Sequence, residues 1–499
     1  MNASHFDNFQ KSARARRPAA ETSPAHARLR AGGAVLFALF AWAGQPAAGL
    51  ADTSDPFSVQ TLAAPSPLGS LDAGVAAAPC SFDPAEAAPL SLAGVVDRAL
   101  CNNPQTRAAW ANARVQAAQV GVARSAYLPS VNATASANRN RVDAGALGIS
   151  AYNQGTAAIS AAYLLYDFGT RDATLETAVQ TLAAANYSQD TALQKVFLAS
   201  VQAYYQLFAA RAAVDSAFEA EGAALEGLKA ATARYDAGTG TPADKLQAQT
   251  AYSQAVLNRI QAEGNTRNAE GALASAMGMD ANRPLRYAAL RLAPPDDRFD
   301  QDLAQLIAAA RKHRPDLAAA EAQLKAAQAN VQTAKAQGMP SISLSTNFSY
   351  ANPDNAELSR STAIGVSVSI PIFTGFNTTY RVRVAEAQVE SQVAQRDAVS
   401  LQVALDVWQA YTNLSTGTQA LRSSADLLSS AGESERVALG RYKAGAGTII
   451  DLLTAQSALA SARLQNIQAL YSWYVFKAAL AQAIGQVDFG ALREPDTQH

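Results

Sequence analysis

The chain has 499 residues, of which 49% are hydrophobic, and its 40 Lys and Arg against 41 Asp and Glu give a formal net charge of −1. This length suits two or three ordinary domains, or one elongated architecture built from long helices. The near-neutral balance excludes the strongly basic field with which proteins hold nucleic acid, so no nucleic-acid partner is expected.

The N-terminus predicts a signal peptide over residues 1–51. Arginines cluster between Arg14 and Arg30, an apolar run follows from Ala34 to Ala43, and small residues lead to Ala51. This order is typical of export. The alternative, a membrane anchor, needs an apolar run that crosses roughly 30 Å of hydrocarbon, and this run is too short. No later stretch reaches about 18 apolar residues, so any membrane insertion must use strands.

Residues 52–103 are interpreted as an N-terminal extension followed by an equatorial segment, and they contain both cysteines. Cys80 and Cys101 lie 21 residues apart. In an oxidising periplasm such a pair favours a disulfide over a metal site, and two buried free thiols are the alternative.

The remaining chain consists of two copies of one unit. The motif Arg-Tyr-x-Ala-Gly at 234–238 recurs 207 residues later at 441–445, and the Leu-Pro pair at 128–129 is matched by Met-Pro at 339–340. The repetition predicts a first structural repeat over 104–278, an inter-repeat equatorial segment over 279–314, a second repeat over 315–485 and a C-terminal tail over 486–499.

Each repeat is predicted to contain three helices. Helices of about 24 residues begin at Pro104 and Pro315, and segments of 68 residues without internal proline cover 168–235 and 375–442. At 1.5 Å per residue each long segment forms a rod of roughly 100 Å. Glycine-containing turns then lead into helices of about 37 residues. The summed length of the two shorter helices nearly equals that of the rod, so we expect them to stack end to end beside it. The gap between the two stacked helices marks a waist of the molecule.

A β-hairpin is predicted between the first and second helix of each repeat. Apolar residues alternate with serine over 342–350 and 364–372, and more weakly over 131–137 and 159–165, where a polar loop over 138–155 separates the strands. Strands of about ten residues suit a tilted membrane crossing, but four strands cannot close a barrel. The predicted fold is therefore mainly α, with duplicated coiled coils forming an α-barrel and four strands per chain completing a 12-stranded trimeric β-barrel.

The Tyr-Leu-Pro strand start at 127–129, the Ile-Pro-Ile-Phe strand end at 370–373 and the paired Arg-Tyr-x-Ala-Gly turns resemble the TolC-like outer membrane factor family over nearly the whole mature chain. The resemblance implies a homotrimeric channel-tunnel in the outer membrane lipid of a Gram-negative cell, with a long periplasmic portion and no cofactor. It also implies two partners, a periplasmic adaptor and an inner-membrane transporter.

The segment 80–110 is similar to members that serve type I secretion, such as the exporter component for adenylate cyclase toxin. This similarity implies protein export with an ABC transporter. The alternative is the outer-membrane component of a multidrug efflux pump, which implies a proton-driven transporter instead.

The family resemblance also implies that the paired turns form a periplasmic gate. Asp451 aligns with a family aspartate at the pore constriction, and Asp244 and Tyr442 align with residues that tie neighbouring coils together. Tyr235 is the counterpart of Tyr442 in the first repeat. Alternatively, both aspartates are simply favourable residues in the first turn of a helix.

Two positions depart from the family pattern. Thr454 stands at a second acidic position of the constriction, and Gly447 replaces an arginine of the closed state. The entrance is therefore expected to be less acidic and easier to open.

Two other classes of protein fit the sequence poorly. Outside the predicted signal only His313 and His499 remain, which are too few for a histidine-based metal cluster or catalytic triad, so no enzyme and no metal site are expected. A soluble periplasmic coiled-coil adaptor would not need two hairpins of membrane length.

Overall fold

The computed structural model describes residues 55–64, 89–143, 149–283, 285–288, 290 and 302–486, without the side chains of 142–150. The compact unit discussed below begins at Phe57. The predicted signal peptide, Cys80 and nearly all of the predicted tail lie outside the described residues. No helix in the described part of the chain combines the length and apolar character needed to cross a membrane.

Two very long helices dominate the fold. Helix α3 covers Thr170–Asp236 and α7 covers Asn377–Lys443, each with 67 residues. The absence of internal proline leaves the backbone hydrogen bonds of both helices uninterrupted. The predicted rods are therefore confirmed within two residues at each end.

Each long helix has two shorter helices beside it. Helices α2 (Pro104–Ser125) and α4 (Pro242–Ala276) pack along α3, while α6 (Pro315–Ala336) and α8 (Ile449–Ile484) pack along α7. Proline occupies the first turn of α2, α4 and α6, where no intrahelical N–H donor is needed. The end-to-end stacking predicted from helix lengths is confirmed. Helix α3 also packs on α6 and α8, which joins the repeats.

Short helices surround the waist where the stacked helices meet. Helices α1 (Leu92–Asn102) and α5 (Leu303–His313) pack against α3 and α7, respectively. Glycine is required where each stack closes, because an added Cβ on Gly278 would lie 2.6 Å from the Asn102 carbonyl oxygen and one on Gly485 2.8 Å from that of His313. Both glycines also adopt positive φ angles, which favour glycine.

Two side chains reinforce these joints at equivalent places. The amide of Asn103 donates to the carbonyl oxygen of Ala276 at 3.0 Å, and the guanidinium of Arg314 donates to that of Ala483 at 3.5 Å. Arg314 also forms a bidentate pair with Asp316, with N–O distances of 2.9 and 2.6 Å, and contacts Asp406 at 2.9 Å. The second joint is therefore ionic, whereas the first is neutral.

The four strands form one antiparallel sheet in the order β1-β2-β3-β4, with bounds Ser130–Asp143, Ile149–Tyr166, Ser341–Pro353 and Ser359–Ser369. The predicted polar loop over 138–155 is wrong for most of its length, because β1 and β2 pair continuously from Ser130↔Ala162 to Asp143↔Ile149. Polar residues on both faces at this end of the hairpin remove the apolar alternation without preventing backbone pairing. β4 ends before Pro371, which has no N–H donor.

A segment near the N-terminus occupies a groove that sequence patterns did not predict. Residues 57–64 include a 3-10 turn, Val59–Leu62, whose Val59 packs with Val120 and Leu182 of the α2–α3 pair. The guanidinium of Arg124 donates to the Phe57 carbonyl oxygen at 2.9 Å, and Asn186 exchanges hydrogen bonds with the backbone of Leu62 and Ala64. The segment therefore runs from the sheet end of α2 towards the waist.

Candidate gate at the paired helical turns

The two Arg-Tyr-x-Ala-Gly motifs form tight turns at the end of the long helices farthest from the sheet. Gly238 and Gly445 have φ angles of 71° and 78°. Gly240 closes the first turn, and an added Cβ there would lie 2.9 Å from the backbone nitrogen of Tyr235. Gly238 and Gly445 are therefore favoured by their positive φ angles, and Gly240 by the lack of space for a side chain.

Both predicted gate aspartates belong to capping boxes. The hydroxyl of Thr448 accepts from the Asp451 N–H, and the Asp451 carboxylate accepts from the Thr448 N–H, each at 3.2 Å. Thr241 and Asp244 make the same reciprocal pair, each at 3.1 Å. The hydrogen bonds from Thr448, with a contribution from Arg441, lower the pKa of Asp451. The aspartates thus have the helix-start role foreseen as the alternative, and a pore role remains a prediction.

Tyr442 lies at the centre of the contact between the two turns. It is 2% exposed and packs with Ala231, Ala248, Ile449 and Leu452, so residues of α3, α4, α7 and α8 meet around one ring. Burial and the charge of Asp244 raise its pKa, while the Arg234 charge acts in the opposite direction.

Arg234 joins the repeats at this point, and sequence reasoning did not single it out. Its guanidinium carbon lies 4.9 Å from the centroid of the Tyr442 ring, and its Nη1 donates to the Tyr442 carbonyl oxygen at 3.2 Å. A guanidinium over an aromatic face is an attractive contact. The repeated Arg-Tyr pair in the motif was the signal that could have identified it.

The equivalent residues of the other turn have different surroundings. Tyr235 is 41% exposed, and the ammonium of Lys245 lies 5.3 Å from its ring centroid. Arg441, the counterpart of Arg234, donates to the Ala446 carbonyl oxygen within its own turn at 3.3 Å. The Arg234–Tyr442 pair thus crosses between the two turns, whereas Tyr235 and Arg441 contact residues of their own repeat.

Thr454 lines an open groove between α4 and α8, just beyond the capping boxes. The walls carry small, hydroxyl-bearing and aliphatic side chains: Gln247, Ile450, Leu453, Thr454, Ser457, Ala458 and Ser461. These lining residues are uncharged, and the lower acidity of the entrance stays a prediction.

Further contacts hold α8 against α3 above the turns. The Gln456 amide donates to the Ala223 carbonyl oxygen at 3.0 Å, and Arg463 pairs with Glu219 at 3.0 Å. These contacts join residues more than 200 positions apart, which no local pattern reveals. They fix the angle between the two repeats near the gate.

The structure records Cys101 as disulfide-bonded. Cys80, the other cysteine of the sequence, lies outside the described residues. Cys101 belongs to α1 at the waist, so this bond lies far along the helices from the turns.

Comparisons with known proteins agree with this geometry. A family model described as outer membrane efflux protein matches residues 95–279 and 306–486. Protein CyaE of Bordetella pertussis is 34% identical over 79% of this chain and 83% of its own length, and outer membrane efflux protein BepC of Brucella suis is 26% identical over 80% and 86%. The Campylobacter jejuni CmeC outer membrane channel superposes with a TM-score of 0.72, at 21% identity, over 80% of this chain and 88% of that one.

Proposed function

The chain belongs to the outer membrane efflux protein family, and we propose from this premise that three copies form a channel-tunnel for type I protein secretion. Membership makes it an outer-membrane transport protein and not an enzyme. The proposed partners are a periplasmic adaptor and an inner-membrane ABC transporter, which together carry substrate from the cell interior to the tunnel.

The sheet is the observation that carries the proposal. One face presents aliphatic side chains to the surroundings, with Ile364 77% exposed and Val131 67% exposed. The other face is lined by hydroxyl groups, and Ser343 and Ser367 are hydrogen-bonded across it at 2.8 Å. Because β1 and β4 are edges within one chain, lipid requires their backbone groups to pair with other copies. Three copies supply twelve strands.

The helices continue the same wall away from the membrane. Helices α2, α3, α6 and α7 follow the strand order, since each strand leads directly into or out of one of them. The turns at the far end are then the natural place for a constriction. In this proposal the Arg234–Tyr442 contact holds the repeats together in the closed state, and Asp451 contributes one carboxylate from each copy.

Two observations favour protein secretion over drug efflux. The identity to Protein CyaE is 34%, against 26% to BepC, whose name describes efflux, and the segment 80–110 already resembles the secretion branch. Drug efflux with a proton-driven transporter is the second candidate, supported by the same fold and by the efflux relative.

The tunnel is tested by conductance of the purified full-length protein in planar bilayers. We expect cation-selective closed-state channels, and Asp451→Asn should reduce the selectivity while Glu433→Gln, an exposed change elsewhere on α7, leaves it unchanged. Selectivity equal in Asp451→Asn and wild type would refute the carboxylate ring. Extraction of the protein from membranes by carbonate would refute membrane insertion itself.

The transport route is tested in cells that lack this chain. Loss of an exported protein from the medium, restored by the plasmid-borne gene, supports secretion. Unchanged protein export together with increased sensitivity to small toxic compounds would replace secretion by drug efflux.

A further inference from the structure

Three arginines lie on the apolar face of the sheet. Val131 and Ile364 belong to one row across the four strands, so their side chains share a face. Alternation along β1 puts Arg139 and Arg141 on the face of Val131, and alternation along β4 puts Arg360 on the face of Ile364. The three guanidinium groups therefore share the face that carries the exposed aliphatic side chains.

All three lie at the end of the sheet that points away from the helices. Arg360 is the second residue of β4, and Arg139 and Arg141 are among the last five residues of β1. Each side chain is exposed, and none forms an ion pair with any of the described residues. Their charges are thus available to a group outside the chain.

Neighbouring carboxylates do not satisfy these charges. Asp354, beside this end of the sheet, accepts two hydrogen bonds of 2.9 Å from the backbone and side-chain amides of Asn153. Glu357 is exposed in the hairpin turn before β4 and has no ion pair among the described residues. Asp143 ends β1 at the same end of the sheet, so the three arginines outnumber the two carboxylates Glu357 and Asp143 there.

We propose that Arg139, Arg141 and Arg360 bind phosphate groups of lipid headgroups in the outer leaflet. The inference rests on the proposed trimer, because closure brings β4 of one copy against β1 of the next and so gathers the three arginines at each subunit boundary. A cation on the lipid face is costly at the midplane of the bilayer but nearly free of cost at its interface, so this end of the sheet tolerates it.

Arginine suits a phosphate ligand in particular. Its planar fork donates two parallel hydrogen bonds to phosphate oxygens, and guanidinium is more weakly hydrated than ammonium. The aliphatic residues below the arginines on the same face would contact the acyl chains of the same lipid. The ligand is therefore an amphiphile with an anionic phosphate head, as opposed to a free anion.

The test uses the full-length trimer purified in detergent and diphosphoryl lipid A as the probe. Native mass spectrometry counts bound lipid per trimer. We expect wild type to bind it, and the triple variant Arg139→Gln, Arg141→Gln, Arg360→Gln to bind roughly tenfold more weakly. Phosphatidylcholine, whose headgroup has no net charge, should bind wild type and variant equally weakly.

A matched triple variant controls for loss of charge alone. Arg107→Gln, Arg267→Gln and Arg311→Gln remove three exposed cations outside the sheet, and lipid A binding should remain at the wild-type level. Equal lipid A binding by wild type and the sheet variant would overturn the proposal, as would an equal loss in the control variant.

The proposal and the underlying channel fail in distinguishable ways. Lipid is counted only on assembled trimers. If the glutamine variant does not assemble, the triple variant Arg139→Lys, Arg141→Lys, Arg360→Lys replaces it. The lysine variant should bind lipid A more weakly than wild type but more strongly than a glutamine variant that assembles. Trimers that conduct in bilayers but bind lipid A independently of these arginines overturn the lipid site alone. A wild-type chain that forms no trimer overturns the channel.

Discussion

Removal of the Arg314 side chain should destabilise the joint between α5, α6 and α8. The guanidinium is 7% exposed, and Asp316 and Asp406, 28% and 30% exposed, depend on it. Removing one partner of a buried ion pair lowers the free energy of unfolding by about 3–5 kcal/mol. Because both carboxylates are partly hydrated, we expect Arg314→Ala to lower it by about 3 kcal/mol, the lower end of that range. Because unfolding entropy grows with chain length, the thermal midpoint should fall by about 3 °C.

The assay is thermal unfolding followed by circular dichroism at one fixed scan rate. Arg311→Ala is the matched control, since Arg311 is exposed in the last turn of α5, three residues before Arg314, and has no ion pair among the described residues. Its midpoint should stay within the error. The triple replacement Arg314→Met, Asp316→Asn, Asp406→Asn should recover most of the loss, because no unpaired charge remains. An unchanged midpoint in Arg314→Ala, or an equal fall in Arg311→Ala, would refute the reasoning.

The Arg314–Asp316 pair also predicts how stability depends on pH. Burial alone would raise the pKa of Asp316, but the hydrogen bonds and charge of Arg314 outweigh it and lower that pKa below its usual range. A depressed carboxyl pKa contributes stability that is present above the unfolded value of about 4 and is lost as pH falls through the folded value. The difference between wild type and Arg314→Ala should therefore shrink below about pH 4.

Three further outcomes test other parts of the fold. Gly485→Ala should lower the free energy of unfolding by about 1–2 kcal/mol, and with it the thermal midpoint, because φ is positive and the new methyl would meet the His313 carbonyl oxygen. Gly264→Ala, within a helix and in open space, should instead raise the free energy of unfolding by about 0.5–1 kcal/mol. Arg234→Gln should raise closed-state conductance in bilayers roughly tenfold, since a charge-assisted contact is lost. Cys101→Ser should cost about 3 kcal/mol if the proposed bond to Cys80 closes a loop of about 20 residues, and dithiothreitol should then destabilise wild type alone.

Helix lengths and strand positions were largely predictable because each depends on local signals. Proline at 104 and 315 begins helices, and glycine at 238 and 445 reverses the chain. Because the unit is repeated, each boundary between elements can be located in both copies. The weakly alternating strands of the first hairpin were underestimated, because the end of β1 carries Asn on one face and Arg on the other. Pairing with a neighbouring strand holds such residues in the sheet where periodicity alone does not.

The paired turns were located correctly and their role as a gate stays a prediction, but the contacts that organise the turns were not predictable. Arg234 and Tyr442 are 208 positions apart, and whether a guanidinium reaches across or folds back depends on how two long helices cross. The residues 57–64 are a similar case, because they have no periodicity and are held by a groove formed elsewhere. Local patterns carry no information about such contacts.

The places where the repeats have diverged indicate which contacts are specific to one repeat. Arg124 binds the N-terminal segment at Phe57, and its counterpart in the second repeat, Lys335, instead pairs with Glu386 at 3.8 Å. Glu386 stands where the first repeat has Val179, which packs beside the segment. A carboxylate there would lose water beneath the segment and compete with the Phe57 carbonyl oxygen for Arg124, so an apolar Val179 suits the groove that residues 57–64 occupy. The duplicated unit has thus acquired an apolar groove covered by residues 57–64 in one copy and an ion pair at the equivalent place in the other, as the turns have acquired one buried and one exposed tyrosine.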